Sequence, residues 1–308
     1  MMYLGDKAVG IAVKKEPSHF IRPAEWPNLN YIDYTNFEGG YFTFDLEAND
    51  FQQKWASFYI RSSSSILNCT VERGHLTNNI FVVDESYSLN GNYCRNILSP
   101  ENGRIQLFRV SGTNINQISL ATMTDDLSQN LHSKASPCVE IVLRLPHAKG
   151  IVASDPNHAN GYYVSFTSCY TKRILLIDFG KDETDLLDFN HAFARCNNIT
   201  IDVQGYRPKL SSINRIFDNA TADVIDLRSF DLTNCENCGQ AFYNCSTQKI
   251  LMQNTGLQNP TNLDSITSGC SAIEINLTDC DFSNSPAKYT SPFICEQLIE
   301  FYPPKLGD

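Results

Sequence analysis

The sequence predicts an α+β fold that is mostly β: an N-terminal antiparallel β-sandwich followed by a C-terminal solenoid built from units of about 25 residues. Three observations lead there. A cysteine or alanine marker recurs at Cys169, Cys196, Ala220, Cys245, Cys270 and Cys295, in steps of 27, 24, 25, 25 and 25 residues. Phe166, Phe193, Phe217 and Phe242 precede the first four markers by three positions, and apolar pairs two apart follow them: Ile174 and Leu176, Ile201 and Val203, Ile225 and Leu227, Ile250 and Met252, Ile275 and Leu277. Upstream, from about residue 38 to 146, apolar and polar residues alternate with period two, the signature of half-buried strands.

Residues 1–35 read as an extended arm, because Pro17, Pro23 and Pro27 exclude a regular helix there. Phe20 and Trp26 give the arm something to bury, against its own body or a neighbouring subunit. Residues 36–153 form the sandwich. Phe42, Phe44 and Leu46 alternate with Thr43 and Asp45; Ala56, Phe58 and Ile60 with Ser57 and Tyr59; Val139, Ile141 and Leu143 with Glu140 and Val142. Segments 80–83, 105–110 and 118–120 complete the strands, and the polar clusters at 49–50, 89–92 and 99–103 turn the chain between them. The polar run 124–136 is a loop or short helix.

Residues 154–161, rich in Asp, Asn, Pro and Gly, mark the boundary with the repeat domain, 154–308. Each repeat supplies one strand, at about 173–177, 198–203, 223–227, 249–252 and 274–277. Because residues two apart point to one side of a strand, the apolar pairs face inward. A short segment before each marker is expected to be helical, such as 186–193, where Leu186, Phe189 and Phe193 fall on one face. After Cys295 the apolar pair is missing and Pro303 and Pro304 follow, which reads as a cap.

The formal net charge of -10 and the dispersed basic residues give no electrostatic reason to expect nucleic acid as a partner. No run of 18 apolar residues exists, so no membrane insertion is expected, and the opening Met1-Met2-Tyr3-Leu4-Gly5-Asp6-Lys7 lacks the basic-then-apolar layout of an export signal. Eleven cysteines form no recognisable disulfide framework; those at the repeat marker are expected to be reduced and buried, as small hydrophobes.

The repeats resemble the BspA-like leucine-rich repeats of bacterial surface antigens. Ile216-Phe217-Asp218-Asn219-Ala220 followed by Ile225-Asp226-Leu227-Arg228-Ser229-Phe230-Asp231-Leu232 carries the likeness, which Ala241-Phe242-Tyr243-Asn244-Cys245 and Ser268-Gly269-Cys270-Ser271 repeat in part. The resemblance covers residues 160–300 and implies a leucine-rich-repeat solenoid; Ala220 in place of Cys and Thr267 in place of Phe depart from its pattern. The stretch Tyr3-Leu4-Gly5-Asp6-Lys7-Ala8-Val9 with Ile21-Arg22-Pro23-Ala24-Glu25-Trp26-Pro27-Asn28-Leu29 resembles the start of phage and prophage tail or appendage proteins of gut bacteria.

Chemistry-bearing motifs are few. Cys235-Glu236-Asn237-Cys238 has the spacing of a zinc or redox pair, but no second pair of that spacing occurs, and it falls on a repeat turn. Asp155, His158 and Asp178 lie near the domain junction, where such residues satisfy turn backbones. Matches to the glycosylation acceptor pattern, such as Asn198-Ile199-Thr200, fall mostly on expected strands. The sequence contains no HExxH, GxSxG or phosphate-cradling glycine loop. No enzyme activity, cofactor or metal is therefore expected. The best candidate binding residues are the outward row of the repeat strands: Arg173, Thr200, Asp202, Asp226, Lys249, Glu274 and Asn276.

The expected function is that of a non-enzymatic phage tail or baseplate protein, structural or receptor-binding, docking through its N-terminal part and presenting the repeat. Its expected partners are other virion proteins and a host surface protein or glycan, as a homo-oligomer in a particle assembled in the host cytoplasm. The alternative is a bacterial cell-surface adhesin of the BspA-like type.

Overall fold

The computed structural model describes residues 21–48, 57–62, 68–87, 93–94, 98–113, 115–121, 137–151, 163–165, 171–285, 295 and 297–306. The arm before residue 21, the turn clusters at 49–50 and 89–92, the run 124–136, the boundary at 154–161, the first marker with Phe166 and Cys169, and Pro286 and Pro292 lie outside the described residues.

The chain is mostly β with almost no helix. Its strands are β1 (Gly39–Asp45), β2 (Ser57–Ser62), β3 (Asn68–Thr77), β4 (Ile80–Tyr87), β5 (Tyr93–Cys94), β6 (Ile105–Thr113), β7 (Ile115–Ala121), β8 (Cys138–Arg144) and β9 (Gly150–Ile151), then β10 (Tyr163–Ser165), β11 (Arg173–Ile177), β12 (Leu187–Asp188), β13 (Thr200–Gln204), β14 (Leu210–Ser212), β15 (Val224–Asp226), β16 (Lys249–Leu251), β17 (Glu274–Asn276) and β18 (Glu300–Tyr302). Among the described residues, two seven-stranded sheets run in the orders β13-β11-β8-β1-β6-β3-β4 and β14-β12-β9-β10-β7-β2-β5, and a third holds β15-β16-β17-β18.

The first two sheets change character along their width. In the first, β4, β3, β6, β1 and β8 pair antiparallel, whereas β8, β11 and β13 pair parallel. In the second, β5, β2 and β7 pair antiparallel, and β7, β10, β9, β12 and β14 parallel. Both sheets run through the boundary expected near residue 154, so the N-terminal sheets pass into a β-solenoid of about five turns by adding strands to sheets already begun. One hydrophobic cluster follows: Phe42, Phe108, Ile141, Ile174 and Leu176 of the first sheet meet Ile151, Leu187 and Leu210 of the second, and the cluster continues through Ile225, Ile250 and Ile275. Each of these buried aliphatic side chains contributes about 2 kcal/mol by leaving water.

Local sequence explains the elements. Asn78 and Asn79, both in the left-handed region (φ 51° and 64°), form the two-residue turn between β3 and β4 that asparagine favours. Asp45, Asp188, Asp226, Asp231, Asn237, Asn262, Asn276 and Asp281 each accept the backbone N–H two residues on, so Asp and Asn punctuate the chain where it turns a corner.

Among the described residues, the helices expected before the markers do not form, as the segments leading to Cys196, Ala220, Cys245 and Cys270 show. In the segment 186–193 and onward, amides alternate between two uses. Ala192 and Ala194 donate to Phe189 and His191 three residues back, both at 3.2 Å, whereas Phe193 and Arg195 donate to Ile216 and Asp218 of the next turn at 2.9 and 2.8 Å. The pattern recurs at 216–220 and 241–245. An α-helix would keep every amide for its own i−4 carbonyl and leave none for stacking. His191, Arg195, Arg215, Asn219, Gln240 and Asn244 take φ between 51° and 58°, a left-handed conformation that no right-handed helix contains. These segments are chains of tight turns that stack as the strands do. They still bury the expected aromatics: Phe189 and Phe193 are inside, and rings of Phe193, Phe217 and Phe242 form a column with centroids 5.4 and 6.3 Å apart, whereas Leu186 points outward.

A second correction concerns the final turn. β18 does follow Cys295, with Phe301 opposite Ile275, one residue later than the repeat spacing places it. Phe301 and Tyr302 are left 40% and 43% exposed at the end of the stack.

Phe217→Ala removes the middle ring of the aromatic column and is expected to destabilise the fold by about 4 kcal/mol in equilibrium urea unfolding. A loss under about 1 kcal/mol would mean that the column does not hold the turns together.

Candidate functional site

The outward row splits into two parts with different fates. On β11, Ile174 and Leu176 enter the principal core, and Arg173, Leu175 and Ile177 point to the other face, as alternation requires. That face is not open. Leu29, Ile32 and Tyr34, with Phe37 beside them, lie over Tyr41, Leu107, Val142, Leu175 and Ile177 and make a second, smaller core. Part of the expected arm is thus a cover over its own sheet, anchored by Trp26, whose Nε1–H donates to Asp45 at 3.2 Å. Burial works to raise the Asp45 carboxyl, but Arg104, the Glu47 backbone N–H and Trp26 together lower it.

Arg173 is therefore buried, 1% exposed, where the alternation alone places it on a solvated surface. Its Nη1 donates to Glu140 Oε1 at 2.8 Å and Asn30 Oδ1 at 2.9 Å, and its Nε to Asp202 Oδ2 at 2.7 Å. Glu140, itself fully buried, also accepts Arg22 from the covering segment. Two cations and two anions balance, which is the condition under which buried charges are tolerated. Burial opposes the charge on Arg173; Asp202 and Glu140 outweigh it and raise its pKa. Thr200 sits opposite Arg173 in the ladder, half-buried. Arg173 and Asp202 thus belong to an internal ion cluster and are not a ligand-facing pair.

The remaining four residues lie on the outward side of the third sheet. Ile225, Ile250 and Ile275 stand in one inward column, which Phe301 continues in register at the exposed end of the stack, and the flanking columns face out: Val224, Lys249, Glu274 and Glu300 on one side, Asp226, Leu251, Asn276 and Tyr302 on the other. Adjacent members of a column are about 4.8 Å apart, the spacing of paired strands. Asp226 holds Arg228 through two contacts of 2.8 and 2.6 Å as well as its corner amide, and Asn276 holds the amide of Thr278. Lys249 pairs with Glu274, which raises the lysine pKa, with Glu300 adding to the effect. Tyr302 donates its hydroxyl to Glu300 at 3.3 Å.

Glu300 and Tyr302 escaped the sequence reading because the one-residue offset hides β18; the aromatic pair Phe301-Tyr302 before two prolines was its only trace. Around them Ile299, Lys305 and Leu306 are also exposed, so the surface passes from mixed charge on β15–β17 to apolar and aromatic character at β18.

The other motifs singled out in the sequence lie partly among the described residues. Cys235 and Cys238 are buried with sulfurs 3.8 Å apart, and the Cys235 contact and burial push the Cys238 thiol well up, away from the thiolate that metal binding needs. Among the described residues, no group of three or more His, Cys, Asp or Glu side chains is placed to hold a metal ion. Asp178 faces Arg144 at 3.5 Å and accepts the Tyr206 amide at 3.1 Å, a turn-holding role; Asp155 and His158 lie outside the described residues. Among the described residues, no helix is long and apolar enough to cross a membrane.

Comparison with known proteins gives no matching family model, no matching curated protein and no matching solved structure.

Arg173→Ala leaves Glu140 and Asp202 without a shared cation and is expected to cost about 3 kcal/mol of stability by chemical denaturation. Lys249→Ala, at an exposed pair, is expected to change stability by less than about 0.5 kcal/mol. Equal effects at the two sites would contradict the division drawn here.

Proposed function

We propose that this protein is a non-enzymatic structural or receptor-binding component of a phage tail or baseplate. The observation that carries the reading is the outward face of the third sheet, where Lys249, Glu274, Glu300 and Tyr302 are presented on stacked strands backed by the continuous core. A stacked array of this kind holds side chains at fixed spacing over several turns and suits recognition of an extended protein or glycan surface. Its units are read as BspA-like leucine-rich repeats, on the strength of the Phe, Cys and Ile spacing. The N-terminal residues that resemble tail and appendage proteins supply the docking part, and several copies assemble in the particle.

In this reading the binding residues are Lys249 and Glu274, flanked by Asp226 and Asn276 and extended by Glu300 and Tyr302. Arg173, Thr200 and Asp202 support the scaffold. The second reading, a bacterial surface adhesin, draws on the same repeats and differs in where the protein resides.

Quantitative mass spectrometry of phage or phage-like particles from the source strain separates the two. The tail reading predicts peptides of this chain at a fixed ratio to the major tail proteins through gradient purification. Recovery in the cell envelope, with none in particles, would overturn it in favour of the adhesin.

A further inference from the structure

We propose that Cys245 and Cys270 are an oxidation site that, on meeting a hydroperoxide, closes a disulfide joining two successive turns of the solenoid. Their sulfurs are 3.3 Å apart across a sequence separation of 25 residues. The backbone already holds them in register, since the Ser271 amide donates to the Cys245 carbonyl at 3.1 Å. Stacked strands lie about 4.8 Å apart, inside the Cα separation of about 4.4–6.8 Å that a disulfide accepts, so closure needs side-chain rotation and little backbone movement.

The surroundings select a nucleophile. The contact with the Cys245 sulfur lowers the Cys270 thiol to about 7, against the opposing effect of burial and with help from the Ala272 amide, which donates to the Cys270 sulfur at 3.4 Å. The same contact and burial push the Cys245 thiol up. Cys295, next in the column and half-buried, directs its S–H to the carbonyls of Cys270 and Ala272, both at 3.0 Å. In Cys235 and Cys238 the sulfurs are farther apart, 3.8 Å, and the Cys238 thiol is raised.

The chemistry balances with a peroxide as oxidant. With hydrogen peroxide, the Cys270 thiolate attacks one oxygen of the O–O bond, giving a sulfenic acid and releasing hydroxide, which takes up a proton to become water. The Cys245 sulfur then attacks the Cys270 sulfur, the S–O bond breaks, and the departing hydroxyl leaves as a second water with the Cys245 proton. Two thiols are oxidised and one peroxide is reduced. Because Cys270 is only 3% exposed, a small hydroperoxide reaches it more readily than a bulky disulfide such as oxidised glutathione.

The test is to reduce the full-length protein, treat it under native conditions with hydrogen peroxide, and map cross-links by digestion and mass spectrometry without reductant. The expected product is a Cys245–Cys270 link, reversed by a dithiol and raising the thermal unfolding midpoint by roughly 5 °C. Cys245→Ala is expected to abolish the link; the substitution is compatible with the fold, because Ala220 occupies the preceding place in the column. Cys295→Ser is expected to keep the link. Absence of a cross-link in the folded protein, a link mapped to Cys295 or to Cys235 and Cys238 instead, or over-oxidation of Cys270 with no link would each overturn the proposal.

Discussion

Where β8 completes its antiparallel pairing with β1, it offers its other edge to β11, and the parallel register from Arg173 opposite Glu140 to Ile177 opposite Arg144 sets the course of everything downstream. β11 reads Arg-Ile-Leu-Leu-Ile, buried along its whole length. Four consecutive apolar residues do not specify which of them faces which core. The arginine does. A slip of one residue would turn Arg173 towards Phe42 and Ile141 in the principal core and strand Glu140 beneath the covering segment without one of its two cations. The buried ion cluster thereby ties three distant parts of the chain to one register: Arg22 from the cover, Glu140 from the sandwich, and Arg173 with Asp202 from the first turns of the solenoid.

Once that register is set, growth by turns follows from repetition. Successive turns lay Ile225, Ile250 and Ile275 over one another and reuse alternate amides of their tight-turn segments to bind their neighbours. Asp or Asn at the corners satisfies the amides that the change of direction leaves unpaired. Interior columns carry residues that stack without strain, namely Ile, Phe and Cys, and the same close stacking brings the sulfurs of Cys245 and Cys270 together.

The parts legible in the sequence were those encoded by spacing. The period predicted a stack, and the apolar pairs predicted the inward faces of β15, β16 and β17. The tight-turn segments were misread because a residue spacing of three to four fits a run of tight turns as well as a helix; left-handed φ at His191 and Arg195 carries no mark in residue type, although Asn219 and Asn244 in the later turns hinted at it. The burial of Arg173 was invisible for another reason. Periodicity reports which side of a strand a residue occupies, and not what a distant segment such as 22–37 lays over that side. The surface formed by Glu300 and Tyr302 was lost to a single-residue offset, which a fixed period does not tolerate.

The N-terminal sheets and the first turn of the solenoid form one cooperative body, joined through β8 and β11. Native-state hydrogen exchange read by mass spectrometry tests it most directly, by comparing peptides that cover β11 with peptides that cover β1, β6 and β8 as denaturant is raised below the unfolding transition. Amides of β11 are expected to exchange in the slowest class, with the same opening free energy and denaturant dependence as those of β1 and β8. Opening of β11 at a distinctly lower free energy, while β1, β6 and β8 stay protected, would contradict it and divide the molecule into two independent units.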